Sequence, residues 1–283
     1  MLVSIVCSCA VRQVHQHIVN YLSWEKSQQR AHPIFSEFAA FVYKNAISCI
    51  FPVFIFLMLA ISRIVDQSIL PRYDFLLIVC VLAQLVLFAT GIESKREVAV
   101  IFVFHGFGVL LEVHKVNVGS WSYPEEAYTK FFGVPLYSGF MYSSVASYIC
   151  RAWDNFDLQM IRWPHAAIAI PLGALIYGNF FTNAYLLDIR WYIIPVLIVA
   201  FWKTKVEFNS NGTLRQMPML IAFVLIGFFI WLAENIATFF GAWKYASQHE
   251  GWRMVETSKL TSWSLLVIVS IIIVGQLKRL RRE

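Results

Sequence analysis

Long apolar runs dominate this sequence and constrain its fold more than any other feature. Eight stretches approach the roughly 20 apolar residues that a helix needs to cross ~30 Å of hydrocarbon. They lie at 45–64, 73–91, 98–118, 133–152, 164–182, 189–204, 216–240 and 260–276. Only 14% of the residues are charged, too few to cover the surface of a water-soluble domain. The sequence therefore predicts an all-α, polytopic integral membrane protein, a bundle of about eight transmembrane helices.

The distribution of Lys and Arg predicts the orientation of these helices. With the eight spans above, 15 basic residues fall on the side of the N-terminus and 8 on the other side. Since cytoplasmic loops carry the excess of basic residues, both termini are expected in the cytoplasm. Residues 1–43 then form a cytoplasmic segment with a candidate interfacial helix at 33–43. Residues 278–283 form a basic cytoplasmic tail that contacts anionic headgroups.

Charge and cysteine content exclude several classes of partner and site. The net charge is +6, but the basic residues are spread over short loops and the tail, so membrane lipids and not nucleic acid are the expected partners. Five scattered cysteines predict no disulfide framework. Cys7 and Cys9 are followed by His15 and His17, but one intervening residue within each pair is too tight for a structural zinc site. No metal site is predicted, and the sequence assigns neither a cofactor nor an oligomeric state.

A repeated motif divides the chain into two halves. In two of the apolar segments a Glu is followed by a Gly seven residues on, and then by Trp and Tyr at alternate positions. The first copy is Glu112, Gly119, Trp121 and Tyr123, and the second is Glu234, Gly241, Trp243 and Tyr245. Residues 44–158 and 159–277 are therefore predicted to be two four-span repeats. An even number of spans in each half makes the repeats parallel, related by an axis along the membrane normal.

The two repeated carboxyl groups are the strongest candidates for functional residues, because an ionisable side chain within a bilayer is costly and needs a partner. Glu112 has Lys115 one helical turn away as a local partner, whereas Glu234 has no cation at neighbouring helical positions. His105 lies on the same helix face as Glu112 and is a candidate proton relay. Asn179 and Asn183 either line a polar cavity or cap their helix. The predicted catalytic residues are Glu112, Glu234 and His105, and the predicted substrate-binding residues are Trp121, Tyr123, Trp243, Tyr245, Asn179 and Asn183.

With this repeat and the span from His105-Gly-Phe-Gly to Glu112, the chain resembles a bacterial membrane-protein family known as domain of unknown function 817, over residues 35–280. That resemblance implies the architecture and a bacterial inner-membrane location, and it carries no activity. The motif is also remotely similar to membrane-embedded carotenoid hydratases and heterodimer-type lycopene cyclases, which implies an intramembrane carboxylic acid that protonates a polyene. Glu112 and Glu234 would match the acidic positions, although the adjacent paired acids of the cyclases are missing here.

Three functions fit these observations. The first is an intramembrane acid–base enzyme acting on an isoprenoid or other lipid. The second is a proton-coupled transporter of a small solute or lipid, for which duplicated halves and acids at matching depth are typical. The third is a structural or assembly protein, in which the carboxyl groups only hold helices together. Whether the protein is an enzyme is left open by the sequence.

Overall fold

The computed structural model of this protein describes the backbone of residues 33–279. This part of the chain is mostly helical and contains nine α-helices. They are α1 Pro33–Ser48, α2 Ile50–Ile61, α3 Arg72–Ala89, α4 Lys95–Asn117, α5 Ser138–Asn155, α6 Ala166–Thr182, α7 Arg190–Phe201, α8 Met219–Phe239 and α9 Ser258–Arg279. The Cys and His residues considered for zinc, and most of the basic tail, lie outside the described residues.

Fewer helices qualify as membrane spans than the sequence predicts. A helix overlaps each of the eight predicted spans, but by length and composition α3, α4, α8 and α9 alone qualify among the described residues. The pair α1 and α2, bent by 62° between Ser48 and Ile50, makes a fifth if it is one broken span. At 1.5 Å per residue, the 17 residues of α6 and the 12 of α7 reach about 25 Å and 18 Å, short of the hydrocarbon thickness.

The α5 helix is long enough to span but is too polar to qualify. Four of its 18 residues are serines, and it ends in Arg151, Asp154 and Asn155. Two of these serines bond inside the bundle: Ser143 donates to the carbonyl of Ile101 at 3.0 Å, and Ser147 donates to the Glu93 carboxylate at 2.6 Å. Polar side chains of this helix therefore form hydrogen bonds inside the bundle, and a count of spans based on hydropathy alone does not include it.

Short strands interrupt the bundle, and an all-α prediction does not include them. The strands are β1 Trp121–Ser122, β2 Lys130–Phe131, β3 Val134–Pro135, β4 Gln159–Ile161, β5 Lys205–Ser210, β6 Thr213–Pro218 and β7 Lys244–Tyr245. Strands β4, β5 and β6 form one antiparallel sheet. The β5–β6 hairpin turns through Asn211 and Gly212, which both have positive φ, as a two-residue turn of this kind requires.

The hairpin also holds the first described helix. Lys44 on α1 donates to the carbonyl oxygen of Asn209 at 2.7 Å, and Ser210 donates to the carbonyl oxygen of Glu37 at 2.9 Å. Arg215 on β6 forms an ion pair with the Glu37 carboxylate at 2.7 Å. The N-terminal helix is thus attached to a hairpin that forms late in the chain. Whether α1 lies in the membrane interface stays a prediction.

Among the described helices, two pairs have the most extensive contacts, and one helix of each pair carries the Glu of a repeated motif. The α4 helix packs along α5, and α8 packs along α9. In each pair a glycine permits close approach: Gly108 lies against the ring of Tyr142, and Gly227 lies against the backbone of Ser264. An apolar cluster built largely from aromatic rings surrounds the ends of α4 and α8, where Tyr73, Trp121 and Tyr245 are buried. These pairs therefore fix the region in which the two carboxyl groups lie.

Candidate functional site

Glu112 lies near the C-terminal end of α4 and is almost completely buried, with 5% of its surface exposed. One carboxylate oxygen, Oε2, accepts hydrogen bonds from the Trp121 indole at 2.6 Å and from the Tyr123 hydroxyl at 2.8 Å. The other oxygen, Oε1, accepts a hydrogen bond from the Tyr142 hydroxyl at 2.7 Å. A carboxylate offers about four acceptor positions. Three neutral donors therefore fill most of its hydrogen-bonding capacity.

Glu234 occupies the corresponding place near the end of α8, with 3% of its surface exposed. Its carboxylate accepts a short hydrogen bond from the Tyr245 hydroxyl and a second one from the Trp263 indole at 2.5 Å. Each acid is therefore bonded to one indole and to the tyrosine that follows it by 11 residues. Among the described residues, no Lys or Arg side-chain nitrogen lies within 4.0 Å of either carboxylate.

The repeated glycines explain why both tyrosines return to the acids. Gly119 and Gly241 follow the two helices with φ of +71° and +68°, values that an L side chain rarely adopts. In both places the next residue closes the helix with the same backbone bond: Ser120 donates to the carbonyl oxygen of Lys115 and Ala242 to that of Ala237, each at 2.9 Å. This helix ending reverses the chain. The tyrosine four residues after each glycine then lies beside the acid of its own helix.

The two acid environments are joined in one cluster. Strands β1 and β7 pair antiparallel, with Trp121 opposite Tyr245 and Ser122 opposite Lys244. The rings of Trp121 and Tyr245 meet edge to face, with their centroids 5.8 Å apart. The charge of Glu234 also acts on Glu112 by electrostatic repulsion. The donor of one acid therefore contacts the donor of the other.

Tyr123 and Tyr245 lie outside the spanning helices and remain protonated. Burial and the neighbouring Glu112 charge raise the pKa of Tyr123 well above its usual range. Burial and Glu234 do the same to the pKa of Tyr245. Both hydroxyls therefore stay protonated and can act as hydrogen-bond donors to the carboxylates.

A buried arginine holds the end of α8 in place beside the site. Arg72, at the start of α3, has 2% of its surface exposed. It donates to the carbonyl oxygens of Phe240 and Gly241 at 2.5 and 2.9 Å, and it pairs with Glu125 at 2.8 Å. These carbonyls end α8, where a positive charge is favourable. The first half of the chain therefore fixes the helix that carries Glu234.

Lys115 does not pair with Glu112, although it follows one turn later on α4. Its ammonium donates to the amide oxygen of Asn183 at 2.9 Å and lies 4.6 Å from the centre of the Phe180 ring. The local pairing suggested by the sequence is therefore replaced by contacts with the end of α6. Asn183 is the C-cap residue of α6, as the capping interpretation expected, with its backbone N–H donating to the carbonyl oxygen of Asn179 at 2.9 Å. Its side-chain amide oxygen also accepts from a cation, which the sequence did not indicate.

The remaining predicted residues lie at different distances from the acids. Asn179 receives a bond from the backbone of Ile189 at 2.9 Å and donates to Asp188 at 3.0 Å, so it shapes the α6–α7 connection. Trp243 is partly buried and packs on the aromatic cluster. By symmetry with Trp121, Trp243 would be expected to donate to Glu234, but the indole of Trp263 makes that hydrogen bond. Their roles in substrate binding stay predictions.

His105 faces α5 two turns before Glu112. Its ring lies 4.6 Å from the ring of Phe140, and an added side chain at Gly139 would meet it at 2.7 Å. The Nδ1 atom is buried and has no hydrogen-bond partner among the described residues. Seven residues of helix separate it from Glu112 by about 10 Å along the axis, so a direct hydrogen bond between them is excluded.

Sequence reasoning missed two of the donors, Tyr142 and Trp263. Tyr142 is one of two tyrosines in α5 and Trp263 is the one tryptophan of α9, and no repeated spacing links either of them to an acid. The available signal was an aromatic residue with a polar group inside a predicted span, which usually marks a membrane interface.

A separate buried acid lies at the opposite end of α4. Glu93 precedes the helix and accepts hydrogen bonds from the Ser147 hydroxyl at 2.6 Å and from the amide of Gln84. Burial raises the pKa of Glu93, and these two hydrogen bonds oppose the rise.

The described residues contain no group of three His, Cys, Asp or Glu side chains that could hold a metal ion.

Comparison with known proteins agrees with the resemblance noted in the sequence. Residues 37–271 match a family described as "Protein of unknown function (DUF817)". The uncharacterized protein YoaT of Bacillus subtilis (strain 168) is 52% identical over 243 residues, covering 86% of this chain and 92% of that protein. The fold also overlaps with a crystal structure of a cross-linked MvINS trimer, with a TM-score of 0.49 and 14% identity over 68% of this chain and 97% of that chain. That overlap is too weak to transfer anything from the trimer.

Proposed function

Since this chain belongs to the DUF817 family of membrane-associated proteins of unknown function, we propose from its site that it is an intramembrane acid–base enzyme acting on an isoprenoid or other lipid. The observation that carries this proposal is the surrounding of Glu112 by three neutral donors at 2.6 to 2.8 Å, without a bonded cation. Such a group can exist in both protonation states, because burial favours the neutral acid and the donors stabilise the anion.

The numbers of donors suggest different roles for the two acids. Glu112 has three hydrogen-bond donors and Glu234 has two, so fewer hydrogen bonds stabilise the Glu234 anion, and we assign the proton to Glu234 and the negative charge to Glu112. In the proposed reaction, the Glu234 proton adds to one carbon of a carbon–carbon double bond, whose electron pair forms the new C–H bond. The Glu112 carboxylate then removes a proton from another carbon, and that C–H pair forms the new double bond. The double bond moves without a co-reactant, and return of the proton from Glu112 to Glu234 restores both groups for the next turnover.

The aromatic residues around the acids would stabilise the intermediate cation. The faces of Trp121, Tyr123 and Tyr245 carry partial negative charge and attract a cation near the ring centre. Donors already aimed at the carboxylates need no reorganisation when negative charge develops. His105, two turns away on α4, would relay a proton to Glu112 only through an intervening group.

We also infer the larger arrangement as part of this proposal. Two observations favour two parallel four-helix repeats at 44–158 and 159–277. The helices that carry the acids end in the same way, and Ser122 pairs with Lys244, the residue at the equivalent position of the other motif. A two-fold axis between equivalent strands produces this antiparallel pairing. All eight helices would cross the membrane together, with the short α6 and α7 completed by their neighbours. The family likeness favours the cytoplasmic (inner) membrane, and the basic residues favour both termini inside.

Lipid mass spectrometry of purified variants tests the proposed enzyme. We would compare lipids that co-purify with the wild type, with the Glu112→Gln/Glu234→Gln double variant and with Glu93→Gln, a control that removes a buried acid elsewhere. The double variant should retain an unconverted lipid that neither the wild type nor the control retains. An identical lipid content in all three folded proteins would refute the enzyme. A double variant that unfolds in detergent while the control does not would support the structural reading.

A proton-coupled transporter is a second candidate, favoured by one observation. Coupled acids at equivalent positions of two halves are the arrangement that alternating access uses. Proton flux into liposomes, driven by a pH gradient, separates it from the enzyme. A flux present in the wild type and lost in the double variant, together with unchanged lipids, would select the transporter.

A further inference from the structure

Three basic residues from different helices meet at the end of the bundle that holds the acid cluster. Lys115 lies in the last turn of α4, Arg190 begins α7, and Lys259 lies in the first turn of α9. Arg190 donates to Ser262, which lies three residues after Lys259 on α9, at 2.9 Å. Lys115 contacts Asn183, five residues before the Asp188 that pairs with Arg190. The charges of Arg190 and Lys259 both repel Lys115. Lys115 is 95% buried, with 5% of its surface exposed. Cations so close and so shielded from water repel each other unless an anion lies between them.

The protein uses only part of their hydrogen-bonding capacity. Lys115 donates to Asn183, which leaves two of its three N–H groups. Arg190 donates to Asp188 through Nε at 2.6 Å and to Ser262 through Nη1 at 2.9 Å. The side-chain ammonium of Lys259 makes no hydrogen bond among the described residues and lies 5.0 Å from the centre of the Tyr245 ring. Several charged donors therefore remain for a ligand.

Three acids lie near this group, and they leave both lysine ammonium groups without an ion pair among the described residues. The Asp188 carboxylate neutralises Arg190 in an ion pair at 2.6 Å and also accepts a hydrogen bond from Asn179. Glu234 attracts Lys259 electrostatically, but its hydrogen bonds come from Tyr245 and Trp263. Glu256 also attracts Lys259, and its carboxylate accepts a hydrogen bond from Ser258 in exposed surroundings.

We propose that Lys115, Arg190 and Lys259 form a site for the phosphate group of an amphipathic lipid. A phosphate oxygen is a strong acceptor for Lys and Arg donors, and Ser262 adds a hydroxyl beside Arg190. The inference that this lipid is the substrate rests on the proposed enzyme. Lys259 lies over the same Tyr245 ring whose hydroxyl bonds Glu234. A phosphate at Lys259 therefore places the beginning of the lipid chain beside the aromatic cluster and the acids.

Native mass spectrometry of the full-length protein in detergent tests this site. The probes are phosphatidic acid, diacylglycerol with the same acyl chains, and inorganic phosphate. The variants are Lys259→Met and Lys259→Arg, and the control is Lys244→Met, which removes one positive charge from β7 at the same end of the bundle. Lys259→Met should weaken phosphatidic acid binding by about tenfold or more, which is the factor expected for one hydrogen bond between charged groups.

Each outcome decides between specific alternatives. Retained binding by Lys259→Arg and by Lys244→Met, with diacylglycerol bound poorly by all proteins, supports the site. An equal loss in Lys244→Met, or equal binding of both lipids, overturns it. Inorganic phosphate that displaces phosphatidic acid at equal concentration would assign the site to free phosphate. The Glu112→Gln/Glu234→Gln variant should still bind phosphatidic acid. If it does and yet all lipids co-purify unchanged, the enzyme fails while the phosphate site stands.

Discussion

Replacing Gly108 by alanine tests the link between helix packing and the acid site. An added Cβ would lie 2.5 Å from Cδ2 and 2.9 Å from Cβ of Tyr142. Carbon atoms in contact are about 3.5 to 4.0 Å apart, so the two groups must separate by roughly 1 Å. Because the Cβ of Tyr142 also collides, rotation of the ring cannot relieve the overlap. Helix α5 must move, and the 2.7 Å bond from Tyr142 to Glu112 then opens beyond hydrogen-bonding distance.

The expected cost follows from these two effects. Overpacking costs about 1–3 kcal/mol, and loss of a hydrogen bond to a charged group adds about 1.5–3 kcal/mol, less the ~1 kcal/mol that alanine gains over glycine in a helix. We therefore expect Gly108→Ala to lower the free energy of unfolding by about 1.5–5 kcal/mol. Thermal unfolding in detergent, followed by tryptophan fluorescence, measures the change.

Gly106 supplies a matched control in the same helix. An added Cβ there meets no atom within 4 Å, so Gly106→Ala should leave stability unchanged or raise it. In a Tyr142→Gly background the Gly108→Ala change should cost almost nothing, because both the ring and the Cβ that would collide are gone. A Gly108→Ala protein as stable as Gly106→Ala, or an equal loss with and without the Tyr142 side chain, would show that this contact does not set the position of α5.

Three further changes test other parts of the structure. Arg72→Met should cost about 3–5 kcal/mol in thermal unfolding, because it leaves a buried ion pair broken, and Arg72→Lys should restore only part of it; equal stability of all three proteins would contradict this role. Because burial raises the pKa of Glu93 from 4.5, the folded state holds this proton more tightly, and its contribution to stability falls as the pH rises above about 4.5. Glu93→Gln should remove that fall, and melting curves at several pH values that keep it would show another origin. Gly119→Ala and Gly241→Ala should each cost about 1 kcal/mol in backbone strain, because both glycines have positive φ and the exposed Arg63 side chain can move away from a Cβ added at position 241; unchanged melting temperatures in both variants would contradict this role of the glycines.

The sequence predicts the helical segments and the partners of the acids to different extents. Apolar runs locate the helices because burial in lipid or protein requires the same residues. They do not separate spanning helices from α5, whose serines bond to Ile101 and Glu93 inside the bundle. The Asn211-Gly212 pair between alternating residues was a readable hairpin signal that the all-α interpretation passed over.

At the site, the repeat motif identifies Glu112 and Glu234 with their tyrosines, because the spacing within each copy fixes a local helix ending. Contacts between helices have no such local rule. The spacing gives no reason for Tyr142 to reach Glu112 or for Lys115 to turn toward Asn183. Those contacts depend on the positions of α5 and α6, which sequence spacing does not determine.

The attachment of α1 to the β5–β6 hairpin has a consequence for biogenesis. Its hydrogen bonds join Lys44 to Asn209 and Glu37 to Arg215, over 165 and 178 residues of chain. A growing chain emerges from the ribosome in order, so α1 has none of these partners until the hairpin has been synthesised. For most of translation this helix therefore lacks these contacts, while α2 to α7 are synthesised. The hairpin then stabilises the position of the earliest described helix, and chains that stop before residue 205 leave α1 without these contacts.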